Sequence, residues 1–143
     1  MTPRTNGFDS HISLHLRDIM RLYIAVLDEV PDFMVPTLVA HTMLGAHLEY
    51  ARNYIAYSDK NNNPYQNYCD WLQDSFKKCV VRVNEKEFNK IASIPGTYLG
   101  HENTTLEGRK SCAIPLPVQL KDLPNVLVFS KLWKPKPPVA EMD

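Results

Sequence analysis

The stretch from Arg21 to Tyr57 most limits what this chain can fold into. It opens with RLYIAVLDEV, in which Leu22, Ile24, Val26 and the neighbouring Ala25 and Leu27 form a nearly continuous apolar run rich in strand formers. A run that is apolar at both parities has no face to give to water, so it predicts a strand buried on both sides. Val30, Pro31 and Asp32 then break it, because proline lacks a ladder donor and biases its predecessor away from the helical region. Pro36 suits a first helical turn, where its missing N–H has no partner to lose, and VPTLVAHTMLGAHLEYARNYIAY keeps helical composition as far as Tyr57. The first half of this helix is apolar almost all round (Leu38, Val39, Met43, Leu44, Ala46), which predicts packing on more than one side, with Gly45 allowing a close backbone approach. Strand, turn and buried helix make the nucleus of an α/β domain.

Turn chemistry divides the remainder. Ser58 to Pro64 is an Asn-rich turn leading into a second helix, YQNYCDWLQDSF, whose predicted inward stripe is Tyr65, Tyr68, Cys69, Leu72 and Phe76. KKCVVRV (77–83) is a strand by its β-branched content. Asn84 with Glu87 predicts a capping box opening a third helix, with Phe88 and Ile91 inward and Pro95-Gly96 as its stop. TYLG and KSCAIPL predict two short strands around a polar loop. VLVF, within 121–133, is open to both readings: strand by pattern, helix by the Asp122-Leu123-Pro124 start that precedes it. Residues 1–20 form a leader in which Ile12, Leu14 and Leu16 alternate with His11, Ser13 and His15, and residues 134–143 form a proline-rich tail. The domain proper is thus 21–133.

At 143 residues the chain has the length of one folding unit. No apolar run approaches the ~18 residues of a membrane span, and the first residues lack the apolar core of a signal peptide, so a cytoplasmic protein is expected. Cys69, Cys79 and Cys112 lack metal-ligand spacing and read as reduced structural thiols. Sixteen basic and sixteen acidic residues give zero formal charge, which weighs against a dedicated nucleic-acid binder. The distribution is uneven: residues 1–70 carry five basic and eight acidic side chains, residues 71–143 eleven and eight. A local basic face in the second half remains open.

The densest set of reactive groups is the 101–111 segment, where His101, Glu102, Thr104, Thr105, Arg109, Lys110 and Ser111 gather at the ends of two predicted strands. Ester hydrolysis needs a base, a positioned water and donors for the developing oxyanion. His101 or Glu102 supplies a candidate base, with His41 projecting from the start of the long helix. Thr104, Thr105, Lys110 and Ser111 are candidate donors to substrate, and Arg109 is a candidate phosphate ligand. If His101 and Glu102 lie in a strand they face opposite ways, so they do not form an orienting pair. The competing expectation is a solvated hairpin on a non-catalytic binding module, with His41 and His47 as ordinary interior or rim histidines. Neither a metal site nor a cofactor is indicated.

Several strings resemble the type 2 peptidyl-tRNA hydrolase family over about 21–133. YIAVLDEV resembles its first strand, CVVRVNEKEFNKI its second strand and following helix, SCAIPLP its Leu-Ala-Ile-Gly-Pro strand, and SKLW its closing Leu-Lys-Leu. Its Ala-Ala-Gln-x-x-His-Ala helix string falls on Val39 to Gly45, where only Ala40 matches; His41 stands at the glutamine position and Leu44 at the histidine position. The departures fall on the chemistry. Met34-Val35-Pro36-Thr37 replaces Gly-Lys-Gly-Lys at the helix entry, Leu99 to Asn103 replaces Asp-Ala-Gly-Arg-Thr, and Gly108 alone aligns with the later Pro-Gly-Thr element. The resemblance implies a four-stranded mixed sheet with helices on both faces, and an activity on the ester of peptidyl-tRNA or a related small substrate. The expected partners are tRNA or a nucleotide, or else a protein, including a second copy in a homodimer; no membrane partner is expected.

Overall fold

The computed structural model describes residues 20–102 and 109–138; of residues 101, 102 and 109 it describes the backbone. The leader with its paired histidines, the loop residues Thr104 and Thr105, and the last five residues of the tail lie outside the described residues. Within them the fold is mixed α/β. Strand β1 (Met20–Leu27) leads through a 3-10 turn (Asp32–Met34) into helix α1 (Val35–Ala56) and then α2 (Gln66–Gln73). Next come β2 (Lys77–Val83), α3 (Glu85–Ala92) and the hairpin of β3 (Tyr98–Glu102) and β4 (Arg109–Ile114). The short elements β5 (Val118–Gln119), α4 (Asn125–Val128) and β6 (Lys131–Leu132) follow.

The sheet has six strands, in the order β3-β4-β1-β2-β6 with β5 also pairing β1. All four expected strands belong to it, and β5 and β6 extend it with two residues each. β1 is central. It runs parallel to β2 in unbroken register from Arg21↔Lys77 to Leu27↔Val83, and antiparallel to β4 with Val26 opposite Cys112. Because side chains alternate along a strand, β1 feeds two cores. Leu22, Ile24 and Val26 pack with α1 and α2 on one face; Tyr23 and Ala25 pack with Phe88 and Ile91 of α3 and Leu127 of α4 on the other. The doubly apolar run at 22–27 is the sequence expression of this three-layer arrangement.

Local signals set the ends of the elements. Asn84 accepts from Glu87 N–H while Glu87 accepts from Asn84 N–H, both at 2.8 Å, so the capping box of α3 is present. α1 buries Val35, Leu38, Thr42, Ala46 and Tyr50 and lies tightly on the hairpin. A Cβ added at Gly45 would sit 2.2 Å from the Tyr98 hydroxyl, and one added at Gly100 would sit 2.2 Å from Thr42 Oγ1, so both glycines are where helix and strand meet. Tyr50 pins this seam. Its hydroxyl accepts from Tyr98 N–H at 3.0 Å and lies 2.5 Å from the Ile114 carbonyl and 2.8 Å from that of Gly96.

One expectation is corrected and one open reading is decided. The inward side of α2 is Tyr68 and Trp71, whereas Leu72 and Phe76 are exposed, because α2 docks through its Tyr68–Trp71 side onto Tyr50. Trp71 Nε1 donates to the Lys77 carbonyl at 2.6 Å, which fixes that orientation. VLVF does not form a strand: residues 125–128 are the one-turn helix α4, started after Pro124, with only Leu127 buried.

Candidate functional site

The sheet register brings several chain segments to one end. Since β4 runs against β1 with Cys112 opposite Val26, Arg109 and Lys110 lie beyond the carboxyl end of β1, beside His101 and Glu102 of the paired β3. The opening turns of α1 lie at the same end, for Thr42 packs on Gly100. In open α/β sheets this carboxyl edge is where ligands are held. A register shift between Gly100 and His101 leaves His101 opposite Lys110 and Glu102 opposite Arg109, and such bulges re-aim side chains.

The sequence-derived site residues divide at this edge. His41 is exposed on α1 and makes no hydrogen bond among the described residues, and Lys110 is exposed. Ser111 is fully buried, and its hydroxyl donates to the Gly100 carbonyl at 3.2 Å. As a substrate donor Ser111 is therefore misplaced: strand alternation turns it inward and the sheet consumes its proton. The side chains of His101, Glu102 and Arg109, and the whole of Thr104 and Thr105, lie outside the described residues. Thr42 is buried beside Cys112, with no regular partner for its Oγ1, and burial pushes the Cys112 thiol up. That thiol is an inert core group.

One charged cluster at this edge was not legible in the sequence. Arg82 of β2 reaches Asp28 at 3.3 Å and Asp32 at 3.1 Å, donates to the Lys134 carbonyl at 2.5 Å, and lies over the Trp133 ring at 5.3 Å. The C-terminal segment closes over these groups. Lys136 N–H donates to Asp32 Oδ2 at 2.6 Å, Lys136 Nζ lies 3.7 Å from Asp28 Oδ1, and Trp133 N–H donates to the Val80 carbonyl at 2.8 Å. The backbone N–H of Lys136, with Arg82 beside it, holds the Asp32 carboxyl below its usual range. So the start of the proline-rich segment is seated through Lys136 on the β1–β2 edge, and the charges there are mutually satisfied.

The other histidine of α1, His47, has its Nδ1 2.8 Å from the Tyr68 hydroxyl, and burial pushes that phenol up to about 12. It is a rim histidine serving the aromatic cluster of Tyr50, Tyr68 and Trp71. Among the described residues no histidine is hydrogen-bonded to a carboxylate, a serine or threonine hydroxyl, or a thiol, His47 pairing with the Tyr68 phenol, and no three metal-ligating side chains converge. No described helix is long and apolar enough to cross a membrane.

What the described surface does present is an apolar row along α1. Phe33, Leu44, Leu48 and Ile55 are 82%, 68%, 60% and 70% exposed. At about 3.6 residues per turn, Thr37, Ala40, Leu44, Leu48, Ala51 and Ile55 stay within roughly 40° of one line, and Phe33 stands exposed in the 3-10 turn just ahead of the helix. That line carries no ionisable side chain; Arg52 and the two histidines flank it. Comparison with known family models and with curated proteins finds no match for this chain.

Proposed function

We propose that this chain is a non-catalytic binding module on a divergent type 2 peptidyl-tRNA hydrolase-like scaffold, and that its partner is a protein, in the first place a second copy of itself. The outer row of α1 carries this reading. A single exposed leucine needs no explanation, but three large apolar side chains aligned on an uncharged helix face, with exposed Phe33 in the turn just ahead of it, do. The row is also symmetric about Leu44: Thr37 and Ala51 lie seven residues to either side, Ala40 and Leu48 four. Two copies laid antiparallel about a twofold at Leu44 therefore set Leu44 on Leu44, Thr37 on Ala51 and Ala40 on Leu48, without opposing like charges. Self-complementarity of this kind is what an isologous interface requires. A nucleic acid would want cations along the same line, and there are none.

The 22-residue helix offers a face roughly 33 Å long and 10 Å wide, about 330 Å², which is less than half of the ~800 Å² per partner of a stable interface. Association is accordingly expected to be weak and concentration-dependent. Sedimentation velocity across a concentration series should show a monomer–dimer equilibrium. Leu44→Glu places two carboxylates on the twofold and should leave only monomer. A chain that stays monomeric at every concentration, with Leu44→Glu indistinguishable from it, refutes the self-association.

An esterase reading has one observation in its favour: the register gathers the backbones of His101, Glu102, Arg109 and Lys110 at the end where α1 begins. Its test is cleavage of labelled peptidyl-tRNA, with loss of rate in His101→Ala or Glu102→Ala. Absence of turnover leaves the binding module.

A further inference from the structure

On the face of the sheet opposite α1, the amino end of β1 borders a cavity of about 180 Å³. Its walls are apolar, from Ile94, Pro115, Val118, Leu123 and Leu127. Three groups of other character share it: Arg21 and Tyr23, successive residues on one face of β1, and Asp122 from the 3-10 turn after β5.

None of the three has a hydrogen-bonding or ion-pair partner among the described residues. Arg21 is half-buried, yet no carboxylate among the described residues lies within ion-pair distance of it, the ion pairs there being those of Arg82 and Lys136. Its recognisable electrostatic neighbour is the Cys79 thiol, on the strand alongside. Tyr23 is 7% exposed and its hydroxyl has no hydrogen-bond partner among the described residues. Only Thr42 Oγ1 and Trp133 Nε1 are sealed off without a partner there, so the Tyr23 hydroxyl reaches open space, and the space Tyr23 lines is this cavity. Asp122 is exposed at the rim and has no ion-pair partner among the described residues. A half-buried guanidinium ordinarily finds a carboxylate, and a buried phenol ordinarily finds a partner. Here both stand open on one small apolar chamber.

We propose that this cavity is a binding site for a small α-amino acid with an aliphatic side chain. The carboxylate takes the Arg21 guanidinium and the Tyr23 hydroxyl, the ammonium takes Asp122, and the side chain fills the apolar chamber. A plain carboxylate would answer Arg21 but meet the like charge of Asp122; a plain amine would do the reverse. A zwitterion satisfies both. Size limits the rest: 180 Å³ is about six water volumes and below the ~300 Å³ of drug-sized pockets, which admits a single amino acid and excludes a peptide.

The test is calorimetric titration of the full chain with three probes that share one isobutyl side chain: L-leucine, 4-methylpentanoate (no amine) and 3-methylbutylamine (no carboxylate). Leucine should bind saturably and at least about tenfold tighter than either fragment, as expected when a charge-assisted contact is added. Arg21→Met, which keeps the aliphatic stem, should weaken leucine about tenfold or more and leave the amine unaffected. Asp122→Asn, a near-isosteric change at an exposed position, should weaken leucine while strengthening 4-methylpentanoate. Tyr23→Phe should cost a few-fold with the urea midpoint unchanged. Equal binding of all three probes, no heat from leucine up to about 10 mM, or a leucine affinity indifferent to both Arg21→Met and Asp122→Asn overturns the proposal. The site lies across the sheet from α1, so its failure leaves the self-association untouched.

Discussion

Replacing Tyr50 by phenylalanine is the sharpest test of how the hairpin is held to α1. The ring is fully buried and would stay packed; only the hydroxyl is lost. That oxygen accepts from Tyr98 N–H and, having a single proton, donates to one of the Ile114 and Gly96 carbonyls at a time. Its removal strands one buried amide donor and one carbonyl acceptor. At about 1–3 kcal/mol for each buried group left unsatisfied, and with the carbonyl the less costly of the two, the loss should be about 2–4 kcal/mol. That is a large part of the 5–15 kcal/mol typical of a domain. Urea unfolding followed by tryptophan emission reads it directly: with a slope of about 1–3 kcal/mol per molar, the midpoint should fall by roughly 1–2 M at unchanged slope. A loss below about 0.5 kcal/mol at unchanged slope would mean that the hydroxyl does not join helix and hairpin, and the reasoning would fail.

Two further expectations are simpler. Asn84→Ala removes half of the capping box of α3 and should cost about 1 kcal/mol by the same measurement, with glycine at that position costing only a few tenths. Alkaline pH should destabilise the protein, because burial raises the phenols of Tyr50 and Tyr68 above the usual phenol value of about 10, Tyr68 to about 12. Groups raised in the folded state contribute stability that is whole below pH 10 and is lost as pH climbs through the folded values, since the unfolded chain gives up those protons first. Urea midpoints measured from pH 9 to 12 should fall, and fall less in Tyr50→Phe; a flat profile contradicts the assignment.

Much of the local structure was legible because its causes are local. A run apolar at both parities is a doubly buried strand, and Asn84 with Glu87 three residues on is a helix start wherever it occurs. The capping box of α3 and the entry at Pro36 appear within a residue or two of where the sequence puts them. The hairpin around the candidate site was legible for the same reason. Which of its side chains face outward was not, and Ser111, chosen for its hydroxyl, is turned into the core by the alternation of β4.

What the chain alone determined is the menu: a central apolar strand, a long helix without a polar side over its first half, and turns between them. The tertiary structure alone decided which apolar residues that helix gives away. Leu38 and Leu44 look equivalent in sequence, yet docking on β3 and β4 buries the first and leaves the second in solvent, because burial depends on where the helix axis lies against the sheet. Likewise Arg82 finds Asp32 across 50 residues and Lys136 finds it across 104. No local pattern encodes such pairs; they exist only once parallel pairing of β1 with β2 has brought the strand ends side by side.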